Sequence, residues 1–103
     1  MKSLSDFKRG CKPGAQFVRR FIGSGNLQEG VCTIAYVQTN AVVFVPPGLK
    51  YTFKQVAEQP YVYGSWFYFP PAARCRFANG EIIISDRRGR DYIAFKEVPD
   101  IEF

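Results

Sequence analysis

Histidine is missing from this 103-residue chain. Its absence removes the commonest general base, the commonest metal ligand and the Ser–His and Cys–His pairs that activate nucleophiles. Cysteine is scarce too: Cys11, Cys32 and Cys75 form an odd set with no CxxC spacing. Three scattered cysteines without histidine do not make a structural zinc site, and they fit reduced thiols packed as small apolar side chains. The nine acidic residues are dispersed, and none forms a pair with a defined role. A non-catalytic chain is therefore expected, with no catalytic residues, no metal site and no cofactor. No run of residues reaches the length of a membrane span, and "MKSLSDFKRGCKPG" does not resemble a signal peptide. The expected setting is the cytoplasm, with no membrane partner.

Hydrophobic residues, by contrast, make up 47% of the chain, enough for one core and too many for a disordered segment. One domain spanning residues 1–103 is expected. The net charge of +5 is unevenly placed. Residues 1–96 hold all 14 Lys and Arg against six acids, whereas the tail "EVPDIEF" carries three acids and no base. Residues 21–49 contain no Lys or Arg, so the basic side chains fall into three zones: 2–20, Lys50 with Lys54, and 74–96. Such asymmetry favours an anionic partner, nucleic acid above all.

Along the chain, "SLSDFKRG" predicts one short helix with Ser3 or Ser5 as cap and Gly10 as stop, followed by a "KPG" turn. Everything beyond reads as strand. "QFVRRFI" (16–22) precedes the loop "GSGNLQEG", a weak phosphate-cradle signal because a strand follows it and no helix does. "VCTIAYV" (31–37) and "AVVFV" (41–45) are apolar on both faces and should be the most buried strands, joined through "QTN" with Asn40 suited to a left-handed position. "LKYTFK" alternates, with Leu49, Tyr51 and Phe53 facing the core. Asn79-Gly80 is the preferred pair for a two-residue type I′ hairpin. A turn there sets Cys75 opposite Ile84 and Phe77 opposite Ile82. A second hairpin runs through "DRRGR" into "DYIAFKEV", gathering Arg87, Arg88 and Arg90 at its tip. The sum is a mainly β domain, expected as a single small antiparallel barrel of SH3-like type with one short N-terminal helix.

"YVYGSWFYFPP" (61–71) carries an aromatic ring at six of eleven positions. Strand alternation turns Phe67 and Phe69 inward, since phenylalanine has no polar atom to satisfy. Trp66 and Tyr68 then lie half exposed on the other face. Gly64 permits a bulge or a close backbone approach.

"VQTNAVVF" followed by "SWFYFPPA" resembles a pattern in small phage and prophage proteins of unassigned role, in which a short helical start and a "KPG"-type turn lead into a barrel. The resemblance covers most of the chain from Gly10 to Phe95, with "LKYTFKQVAEQPYVYG" a longer insertion than the pattern has. It implies no catalytic residues, a mobile-element context in a host cytoplasm and an accessory role against host defences. Two functions follow. In one, Arg74, Arg76, Lys50, Lys54 and the Arg87, Arg88 and Arg90 tip contact phosphates of a nucleic acid while Trp66 or Tyr68 stacks on a base. In the other, the same aromatics and arginines bind an acidic host protein, making the chain an inhibitor of anti-CRISPR or anti-restriction type. Monomer and homodimer are both compatible with the pattern.

Overall fold

The helix expected at the N-terminus forms where its cap residue lies. A computed structural model of the chain describes residues 2–23, 29–47 and 50–98. Helix α1 spans Leu4–Gly10, and the Ser3 side chain accepts a hydrogen bond from the Asp6 backbone amide. The turn after it is closed by the Ala15 amide donating to the Lys12 carbonyl at 2.9 Å. The loop over 24–28, Leu49 and the tail beyond Val98 lie outside the described residues.

Seven strands follow: β1 (Gln16–Phe21), β2 (Gly30–Val37), β3 (Ala41–Val45), β4 (Ser65–Tyr68), β5 (Cys75–Ala78), β6 (Glu81–Ser85) and β7 (Asp91–Glu97). They form one antiparallel sheet in the order β4-β3-β2-β1-β7-β6-β5, curved as a half-barrel. The mainly β expectation therefore holds. Among the described residues, however, the sheet keeps two ends, and this strand order does not by itself establish SH3-like connectivity.

The type I′ turn is in place, with Asn79 at φ 55° and Gly80 at φ 77°. Both angles are left-handed, which is why the Asn-Gly pair is favoured there. The β5–β6 register matches the one read from that turn, with Cys75 opposite Ile84 and Phe77 opposite Ile82. Asn40 does not take the left-handed conformation expected of it. Its carbonyl instead accepts from the Phe69 amide at 2.9 Å, so the β2–β3 turn is shaped by its neighbour β4.

Among the described residues of "LKYTFK" no strand forms: residues 50–52 lead into a helix that Phe53 and Lys54 open, and the single-helix expectation is corrected with it. Helix α2 spans Phe53–Glu58 and α3 spans Pro60–Tyr63. Thr52 and Gln55 form a capping box: Thr52 Oγ1 accepts from the Gln55 amide at 3.1 Å and Gln55 Oε1 from the Thr52 amide at 2.9 Å. Two reciprocal cap bonds outweigh three residues of alternation. Tyr51 and Phe53 are accordingly exposed, not core. Proline at the first position of α3 supplies the helical φ and loses no hydrogen bond.

The inner face of the sheet packs on α1. Phe7 is fully buried there, edge-on to Phe17, Phe67 and Phe69 at 5.2, 6.2 and 6.0 Å and tilted against Phe95 at 5.3 Å. Ile34, Val42, Phe44, Ile82, Ile84 and Ile93 complete this core. Phe67 and Phe69 point inward as alternation requires. On the outer face, Val56 of α2 packs with Ala35 and Val43 in a smaller cluster that Tyr36, Tyr63 and Trp66 border. β3 is the most buried strand, whereas β2 exposes Val31 and Val37 at its ends.

Cys11 and Cys32 are buried, and burial pushes their thiols up to about 12 and about 11. Cys75 is only half-buried, because β5 is an end strand covered on one side. Only the thiolate reacts, so protonated, inaccessible thiols are inert. In the native protein Cys75 should therefore be the first thiol labelled by an aromatic disulfide reagent, with Cys11 and Cys32 reacting only on unfolding. Fast labelling of either remaining thiol in Cys75→Ser would contradict this packing.

Candidate functional site

The β6–β7 connection forms around one carboxylate. Asp86 Oδ1 accepts from the backbone amides of Arg88 at 2.8 Å and Arg90 at 3.0 Å, and the Gly89 amide donates to the Asp86 carbonyl at 3.0 Å. The Arg90 amide, with that of Arg88, holds the Asp86 carboxyl below the ordinary range, and the charges of Arg90 and Arg74 act in the same direction. Asp86 is thus engaged mainly with backbone. Arg87 and Arg88 are exposed, and among the described residues neither has an acid within ion-pair distance. Arg90 Nε lies 4.0 Å from Asp86 Oδ2, and Arg76 pairs with Asp91 at the base of the same hairpin.

Arg74 joins this group from a 3-10 turn, Ala72–Arg74, that leads into β5. Its charge reaches Asp86 and the Tyr92 hydroxyl. Burial raises the Tyr92 pKa, and Arg74 partly opposes that rise. Tyr92 is 41% exposed, which sets an accessible ring beside the arginines. The structure therefore brings Arg74, Arg76, Arg87, Arg88 and Arg90 to one end of the sheet.

It does not bring the remaining candidates there. Lys54 lies on α2 with Nζ 4.0 Å from Glu58 Oε1, and Lys50 is exposed just before that helix. Trp66 and Tyr68 sit on β4, at the opposite end of the strand order from β5. The Trp66 indole N–H donates to the Pro60 carbonyl at 3.0 Å. Its ring is flanked by Tyr61 at 5.0 Å and 31° and by Tyr68 at 6.1 Å and 25°. Trp66 is the half-buried middle of this ladder. Tyr61, 77% exposed, and Tyr68, 68% exposed, present the accessible rings.

A cavity of about 440 Å³ lies between β4 and the β1–β7 pair, and its lining includes Tyr68 and Tyr92. Arg19 lies deeper on that lining, 3% exposed, the only charged or polar side chain buried among the described residues. Its Nη1 donates to Ser65 Oγ at 3.1 Å, and its guanidinium lies 5.2 Å from the Phe21 ring and 5.5 Å from that of Phe44. Burial lowers its pKa, but a guanidinium stays charged at neutral pH.

Sequence reasoning singled out neither Arg19, nor Tyr92, nor Tyr61. The signal for Arg19 was present: alternation over Phe17, Arg19 and Phe21 sets an arginine on an apolar face. Among the described residues no three Cys, Asp or Glu side chains gather as a metal site, and no helix is long and apolar enough to cross a membrane. No known protein family, curated protein or solved structure matches the chain. Fold and site together define a half-barrel β-domain with a cationic β6–β7 hairpin and, at the β4 end of its sheet, an aromatic ladder shared by α3 and β4.

Proposed function

We propose that this is a non-catalytic binding module that contacts the backbone of a single-stranded nucleic acid through the β6–β7 hairpin. The observation that carries the reading is the engagement of Asp86 by backbone amides, with Arg87 and Arg88 exposed and, among the described residues, no acid at ion-pair distance from either. An arginine in that state offers a fork of donors to a phosphate. Arg74 and Arg90 extend the cationic surface, and Tyr92 and Tyr68 supply rings on which bases stack. The resemblance of "VQTNAVVF" and "SWFYFPPA" to phage proteins supports a mobile-element accessory in a host cytoplasm, and the SH3-like assignment rests on the same pattern.

Replacing Arg87, Arg88 and Arg90 together with serine tests this. Circular dichroism should be unchanged, because the core is untouched. Fluorescence anisotropy with a labelled single-stranded oligonucleotide should show weaker binding. The slope of log K against log salt should flatten by about 0.7 for each phosphate that is no longer neutralised. A folded triple variant with wild-type affinity and slope would remove the hairpin from the interface.

A second reading has its own observation. Tyr61, Val62 and Tyr68 are all exposed near β4, an end strand of the sheet. Exposed tyrosines beside a strand that ends the sheet among the described residues suit a protein partner, an acidic host-defence protein in this context. Wild-type protein that binds no oligonucleotide even at low salt favours this reading.

A further inference from the structure

We propose that the cavity between β4 and the β1–β7 pair is a small-molecule site for a ligand that joins a planar aromatic body to one carboxylate or phosphate. Its volume of about 440 Å³ falls within the roughly 300–1,000 Å³ typical of such sites. The lining has the matching composition: Phe21, Phe67 and Ile93 supply apolar wall, and Arg19 and Ser65 supply fixed donors.

The geometry of Arg19 selects the anionic group. β1 carries it on the inner face opposite Phe95 of β7, and two aromatic faces and the Ser65 hydroxyl fix its guanidinium. A guanidinium held in apolar surroundings recognises a carboxylate or phosphate through paired, charge-assisted hydrogen bonds. Arg19 and Ser65 also make other contacts within the chain, so a ligand exchanges one set of polar partners for another. The aromatic body follows from the walls, where Phe21 and Phe67 offer ring surface, and from the opening, which Tyr68 and Tyr92 border. This site is separate from the hairpin arginines and does not depend on the nucleic-acid reading.

Phenyl phosphate, benzoate and neutral benzyl alcohol are suitable probes, titrated at constant ionic strength. Trp66, the single tryptophan, lines the cavity and reports occupancy by fluorescence. Both anions should give saturable changes, with benzyl alcohol about tenfold weaker or worse. Arg19→Gln should abolish that preference for charge. Because removing a buried charge can disturb folding, Ser65→Ala provides a second variant. It keeps the guanidinium, should retain wild-type circular dichroism and should bind the anions several-fold more weakly. The Arg87, Arg88 and Arg90 triple variant should bind the probes like wild type. Absence of saturable binding by either anion, equal binding of benzyl alcohol, or wild-type anion affinity in folded Arg19→Gln or Ser65→Ala would each overturn the proposal. Loss of probe binding in the hairpin variant would do so as well, by moving the anion site to the surface.

Discussion

Phe7→Ala should destabilise the domain by about 3–5 kcal/mol, as truncation of a fully buried phenylalanine does. For a chain of this size that is a large share of a total stability of roughly 5–15 kcal/mol. The side chain has no exposed surface and meets four other rings, three of them edge-on. The effect extends beyond the cavity left behind. Helix α1 has seven residues, and an isolated helix that short does not hold in water. Phe7 is its one buried residue, so truncation also weakens the docking of the whole helix. Urea unfolding followed by tryptophan fluorescence would measure the shift in midpoint. A loss below about 1 kcal/mol, the usual level for a surface change, would mean that α1 is not part of the core.

Gly64→Ala should cost about 2–3 kcal/mol, near the upper range for overpacking a core, although it adds a single methyl group. The backbone at Gly64 is ordinary, with φ −82° and ψ 151°, so conformational strain is not the reason. The obstacle is space. A β-carbon there would lie 2.1 Å from Val43 Cγ1 and 2.6 Å from the Pro60 carbonyl oxygen. Val43 could change rotamer, but the Pro60 carbonyl is fixed as the acceptor of the Gly64 amide, which closes α3. Either α3 or β4 must move, and both carry the tyrosine ladder. Thermal unfolding would test this, and an unchanged melting temperature would show that α3 is not seated against β3 at this point.

Much of this fold was legible in the sequence, and the parts that were not have separate physical causes. The β5–β6 hairpin was readable in full because Asn-Gly fixes the turn and the turn fixes every opposed pair. The inward turn of Phe67 and Phe69 was equally readable, since a buried phenylalanine needs no polar partner. In "LKYTFK" the alternation reads as strand, but the capping residues decide for helix. Thr52 and Gln55 stand at capping-box spacing, and proline opens the next helix, so the helix signal is local. Cys75 depended on strand order, which a single sequence does not disclose. The hairpin arginines were visible as a cluster, but their company was not. Tyr92 becomes their neighbour only through the β6–β7 pairing, and Trp66 loses its free ring only through Tyr61 in an unforeseen helix. Arg19 departs from the general rule that arginines lie at the surface, because it sits in the middle of an apolar alternation.

The pairing of β1 with β7 also governs how the chain assembles. β1 to β4 and β5 to β7 are two runs in which each strand pairs with its neighbour in sequence, and only the β1–β7 seam joins them. That seam aligns Arg19 with Phe95 and Phe21 with Ile93, residues more than seventy positions apart. Local hairpins form early, whereas a contact at such separation must first overcome the entropy of closing a long loop. The inner core cannot be completed sooner, because Phe17, Ile34 and Phe44 come from the first run and Ile82, Ile93 and Phe95 from the second. Among the described strand pairings, the seam therefore carries the largest cost of loop closure. Until it forms, each run presents half of an apolar face to water, which makes the nascent chain most prone to self-association before β7 docks.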